Sequence, residues 1–164
     1  MLTRPQILNL IPHQGTMCLI DDVTAWSVAD ITCGTSSHLS PDNPLRRNGR
    51  LGAICGIEYG LQAAALHGAL VQGVARPGAG ATAGDGDGAA EAPAPPGSGF
   101  LAALRDVTLH VDRLDDQRFG VLRVTAQAEL QAASGAIYRF LIASEAGTPL
   151  VEGRGTIAFA AASA

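Results

Sequence analysis

Residues 51–75 read LGAICGIEYGLQAAALHGALVQGVA, and Glu58 is the sole Asp, Glu, Lys or Arg among them. A run of this length with no charged flank predicts a helix that other elements wrap on most sides, because a surface helix keeps a polar face. At about 100° per residue, Leu51, Ile54, Cys55, Leu61, Ala65 and Ala69 fall within about 60° of Glu58, and Gln62 follows one turn on. The opposite side holds Gly56, Gly60, Ala63 and His67 and is no more polar. A carboxylate in such a helix has either a partner or a task. Desolvation predicts a pKa raised toward the range where proton transfer is efficient. A structural carboxylate that accepts backbone or Gln hydrogen bonds fits the same residues.

What surrounds the helix follows from the periodicity on either side of it. Pro5 to Leu10 reads as a short helix with Pro5 early in it, and Pro12 ends it. Met17–Trp26 and Ala29–Ser37, rich in Ile, Val and Thr, read as two strands joined at Ser27-Val28. Residues 39–50, LSPDNPLRRNGR, form a loop that delivers the chain into the helix. Beyond it, the Gly-, Ala- and Pro-rich stretch at about 77–99 reads as a low-complexity insertion that carries little chemistry. Apolar alternation then returns in four stretches: Val107, Leu109 and Val111; Leu122 to Leu130; Tyr138, Phe140 and Ile142; and Val151 to Phe159. Asp115-Asp116, Ser134-Gly135 and Ala146-Gly147 punctuate them as hairpin turns. Two strands, a buried helix and a four-strand antiparallel meander make an α+β domain, 1–164, in which one sheet curls around one helix.

Charge and cysteine content exclude several classes. The net charge of −4 leaves no basic footprint for nucleic acid, and no Arg/Lys cluster is interleaved with the sparse aromatics. The N-terminal residues lack a long apolar stretch, and the uncharged run from Tyr59 to Ala75 is shorter than a usual membrane span of about 20 residues. A cytoplasmic protein without a membrane span is expected. Cys18, Cys33 and Cys55 fit reduced thiols, and no CxxC or HExxH marks a metal site.

Two short motifs carry a family resemblance. IPHQGTMCLIDDV, residues 11–23, resembles the N-terminal signature of the 3-hydroxyacyl-acyl-carrier-protein dehydratases, and GIEYGLQ, residues 56–62, resembles their helix motif of an acid followed four residues later by Gln. The block NPLRRNGRLGAICGIEYGLQAAALHGAL looks closer still to the dehydratase-like subfamily encoded with aryl-polyene lipid pathways. The resemblance implies a hotdog fold and elimination of water from a 3-hydroxyacyl thioester by a His and an acid placed on different subunits of a dimer. It implies no cofactor, since phosphopantetheine belongs to the carrier-protein substrate. Thioester hydrolysis and non-catalytic acyl binding are the alternatives that the same fold would serve.

On this resemblance Glu58 takes the acid position, protonating the departing hydroxyl, and Gln62 orients it. The family's His loop is replaced here by LRRNGRLGA, residues 45–53, which contains no His. His38, at the end of the second strand, is then a candidate base, and a related partner chain is another source of the histidine. His13 belongs to the N-terminal signature and reads as a residue closing the first turn, with a place in substrate binding, and is the third candidate source of the histidine. His67 lies nine residues from Glu58, about 180° round the helix, and reads as a packing residue. Arg46 and Arg47, with Arg50, form a basic cluster that would attract phosphopantetheine or an acidic carrier protein. The dimer is left open between two copies of this chain and a pair with a related hotdog protein.

Overall fold

The computed structural model describes residues 1–75 and 99–159. In chain order the elements are β1 (Leu2–Thr3), α1 (Arg4–Leu8), β2 (Asp22–Trp26), β3 (Asp30–Thr35), α2 (Gly56–Ala75), β4 (Gly99–Leu109), β5 (Leu122–Ala132), β6 (Gly135–Ala143) and β7 (Pro149–Phe159). All seven strands join one antiparallel sheet in the order β1-β2-β3-β5-β6-β7-β4. Strands β3, β5, β6 and β7 pack on α2, the hotdog arrangement. The segment expected as an insertion lies outside the described residues, apart from Gly99.

Alternation along the strands creates the surface that holds the helix. Leu122, Val124 and Ala126 of β5 and Ala136, Tyr138, Phe140 and Ile142 of β6 are buried, while Arg123, Gln127 and Arg139 between them face out. Against this surface α2 sets Tyr59, Ala63, Leu66 and His67, all buried. The approach is close because α2 carries glycine where it meets the sheet. A Cβ at Gly56 would sit 2.8 Å from Val151, and one at Gly60 would sit 2.5 Å from the Phe140 ring, so neither position has room for a side chain. By length and composition, Ala53–Gly73 is long and apolar enough to cross a membrane. Here the sheet covers one flank of it instead.

Three local expectations change. The strand expected from Met17 begins only at Asp22, because residues 15–21 are held in an irregular path by Arg4. Its guanidinium donates to the carbonyls of Gly15, Cys18 and Ile20 and to Asp21. The long helix begins at Gly56 rather than Leu51, since Leu51 and Ala53 pair through their backbones with Leu114 and Asp112. The last four strands are not a simple meander. β5 is taken up by β3 and β6, so β4 crosses to the far edge and pairs with β7, with irregularities between Leu101 and Ala103 and between Arg105 and Thr108. It is left exposed, Phe100, Leu101, Leu104, Val107 and Leu109 included.

Candidate active site

Glu58 sits in the first turn of α2, where the helix dipole favours a negative charge. The loop after α1 brings His13 to it: Gln14 anchors that loop by donating to the carbonyls of Leu8 and Ile11, and His13 Nε2 lies 3.3 Å from Glu58 Oε1. Gln62, one turn along and fully buried, donates from Nε2 to Glu58 Oε1 at 2.9 Å and to the Met17 carbonyl at 2.9 Å. Its Oε1 accepts the Leu19 N–H at 2.8 Å, so the amide is fixed in one orientation. The segment it grips is braced from behind. The Leu19 carbonyl accepts from the Thr35 and Ser37 hydroxyls, and the Tyr59 hydroxyl lies within hydrogen-bond distance of Ser37 and accepts from Asn43.

The expected rise in the Glu58 pKa does not occur. The hydrogen bond from His13, assisted by that from Gln62, outweighs desolvation and holds the carboxyl below its ordinary value. Its face of α2 is not wrapped: the buried stripe of Tyr59, Ala63 and Leu66 is centred about 100° away, and the Glu58 side chain remains 33% exposed. In the free protein at neutral pH Glu58 is therefore a carboxylate. That state suits taking a proton, and it gives one up only after being loaded.

Glu58 and His13 open onto a cavity of about 580 Å³ that runs along this half-open face of α2. Apart from them its wall is apolar or uncharged, and among the described residues it bears no further His, Asp, Glu, Lys or Arg. His38 is not part of it. Its short turn, Ser37–Leu39, directs the ring inward, where it is fully buried with no partner for either ring nitrogen among the described residues. Burial, reinforced by the Arg46 charge, pushes its pKa down to about 4. His38 thus corrects to a neutral packing residue, and the histidine beside Glu58 is His13. His67 is remote, as its helix angle requires, and is bonded to the Tyr138 hydroxyl and the Ser27 carbonyl.

The arginines divide. Arg46 is 15% exposed and donates to the carbonyls of His38, Ser40 and Gly49 and to Asp115 at 2.8 Å, which makes it a clamp on its own loop rather than a ligand for substrate. Arg47 and Arg50 remain exposed. What the sequence did not disclose was the pairing of His13 with Glu58 and the grip of Gln62 on Met17 and Leu19. The only signal for either is that the two motifs bearing them occur together.

Replacing Gln62 by Leu is expected to destabilise the protein by about 1–3 kcal/mol, because the buried Leu19 N–H loses its acceptor. It should also move the Glu58 titration to higher pH, since one of the two donors holding the carboxylate is gone. Denaturant unfolding and a carboxyl NMR titration read the two effects; a Glu58 titration unchanged from wild type would show that Gln62 does not tune it.

Comparison with known proteins follows the same lines. The sequence pattern of the ApeP-like family, described as ApeP dehydratase, matches residues 5–160. No curated protein sequence is significantly similar. Among solved structures, a chain of the dehydratase heterocomplex ApeI:P from Xenorhabdus doucetiae superposes with a TM-score of 0.74 at 21% identity, over 94% of this chain and 91% of that one. A hypothetical thioesterase protein from Streptococcus pneumoniae TIGR4, solved with coenzyme A, gives 0.54 at 10% identity, over 87% and 88%. AziG of S. sahachiroi gives 0.55 at 12%, over 84% and 89%. At these identities the likeness is one of fold.

Proposed function

The chain belongs to the ApeP-like family of dehydratases, and from that premise we propose that it removes water from 3-hydroxyacyl thioesters borne on an acyl carrier protein. It works as one subunit of a pair of hotdog proteins in aryl-polyene or related lipid biosynthesis. The observation that carries the reading is the His13–Glu58 pair, held by Gln62 at one end of an apolar cavity. Elimination breaks the C2–H bond, places its electrons in a C2–C3 double bond and expels the C3 oxygen as water. The carboxylate–imidazole pair takes the C2 proton and returns a proton to the departing oxygen, so it ends in the protonation state in which it began.

Two features support the assembly. β4 is an exposed edge strand whose unpaired backbone groups a second sheet edge would take up, and its exposed apolar side chains include Phe100, Leu104, Val107 and Leu109. The X. doucetiae dehydratase to which the chain is similar is a heterocomplex. Arg47 and Arg50, exposed beside the clamp built by Arg46, offer positive charge to an acidic carrier protein.

The test is an assay of the purified chain, alone and with a co-encoded hotdog protein, on a 3-hydroxyacyl carrier-protein thioester. Enoyl product from the mixture, at a rate well above that of either protein alone, is the expected result. Release of free acid would replace this reading by thioester hydrolysis, and no product from the mixture would leave a non-catalytic acyl-binding subunit.

A further inference from the structure

We infer that Ala65 and Ala69 set the length of acyl chain the site accepts, as successive stops in the cavity that leads away from Glu58; the inference rests on the dehydratase reading of that site. The cavity has His13 and Glu58 in its wall at one end and Gln72 and Phe159 at the other, with Ala65 and Ala69 between. A smaller cavity of about 320 Å³ adjoins the far end and shares Gln72 and Phe159 with it, so among the described residues the path does not stop there. Glu58, Gln62, Ala65, Ala69 and Gln72 stay within about 40° of one line along α2. At about 1.5 Å per residue, Ala65, Ala69 and Gln72 lie roughly 10, 16 and 21 Å beyond Glu58. The facing wall is apolar, with Leu101 on β4 and Ile157 on β7.

Alanine is what keeps this path open. Gln62, on the same line, is turned aside onto Met17 and Leu19, but a longer side chain at Ala65 or Ala69 projects into the space a hydrocarbon tail would fill, while the buried stripe that fastens α2 to the sheet lies on another face. An extended chain built of C–C bonds of about 1.5 Å advances roughly 1.3 Å per bond. The three positions therefore fall about eight, thirteen and sixteen carbons beyond the reacting centre.

The experiment uses Ala65→Leu and Ala69→Leu, with the partner subunit present where activity requires it. Straight 3-hydroxyacyl pantetheine thioesters of about four to twenty carbons serve as substrates. Ala69→Leu is expected to keep the wild-type kcat/KM up to about fifteen carbons and to lose at least about tenfold beyond, and Ala65→Leu to break in the same way near ten. An unchanged length profile overturns the inference, as does a uniform loss at every length in a variant with the wild-type melting temperature. Should the leucine variants fold poorly, Ala69→Val and Gln72→Phe, the latter at an exposed position, give milder stops. Gln72→Phe would affect only the longest chains. Binding of unreactive acyl-pantetheine amides separates the two readings. Length breaks in binding without turnover by wild type sustain the groove and remove the dehydratase, whereas turnover without length breaks does the reverse.

Discussion

Glu58→Gln is expected to lower kcat/KM for dehydration by about 10²–10⁴-fold, the range for losing a positioned acid–base group, while the melting temperature stays within a few degrees of wild type. The amide has the shape of the carboxylate, and its oxygen can still accept from Gln62, so the brace from α2 to Met17 and Leu19 survives. What disappears is the capacity to take a proton beside His13, 3.3 Å away. A compensating route is hard to find on this chain, since no other His, Asp, Glu or Lys among the described residues lines the cavity. Single-turnover measurement of enoyl product in the assembled enzyme reads the effect apart from product release. Activity within a few-fold of wild type would remove Glu58 from the mechanism and move the chemistry to the partner.

Arg46→Ala and Asp115→Ala are each expected to destabilise the fold by roughly 3 kcal/mol, the scale for breaking a buried ion pair from one side. For a chain of this size that is a fall in Tm of about 6–12 °C. Asp115 is 3% exposed and receives both Arg46 and Arg113, so it joins the loop before α2 to the segment between β4 and β5. The double variant should lose less than the sum of the singles, because the second deletion removes a charge the first has already orphaned. Hydrogen bonding from Arg113 holds the Asp115 carboxyl well below the ordinary carboxylate range. Its contribution is therefore complete above the unfolded value of about 4 and is lost only as pH falls through the lowered one. Thermal melts between neutral and acid pH would show this as an acid-side slope that Asp115→Asn flattens. A weakened KM for carrier-linked substrate at unchanged stability in Arg46→Ala would restore the substrate-binding role that its four internal partners argue against.

Much of this architecture could be read from local pattern, and the parts that could not share a cause. The helix around Glu58 and the inward residues of β5, β6 and β7 follow from periods of 3.6 and 2, which depend on neighbours in sequence. The one-turn spacing of Glu58 and Gln62 is of the same kind. The position of β4 is not, because its own alternation says nothing about which edge is free; that is decided by β3 and β6 occupying both sides of β5. The direction of the Glu58 pKa shift failed for a related reason. Burial is legible in composition, but the donor that reverses its effect sits 45 residues earlier, in a loop placed by α1. His38 was close in sequence to the helix yet turned inward, since a single short turn sets its direction and no periodicity reports on it.

The apolar length of α2 bears on how the chain is made. Ala53–Gly73 leaves the ribosome before β5, β6 and β7, which will cover its inner flank, have been synthesised. At about 5–20 residues per second that interval is on the order of ten seconds. Through it the nascent segment is long and apolar enough to be mistaken for a membrane anchor, with Glu58 as its one formal charge and Gln62, His67 and Gln72 as its other polar points. A carboxylate disfavours insertion, by about 2.5–3.5 kcal/mol for an aspartate at the centre of a span and by less toward an end, and Glu58 is the one formal charge the segment holds. An exchange of Glu58 for an aliphatic residue would therefore alter the sorting of the unfinished chain as well as its chemistry, whereas glutamine keeps a polar group in place.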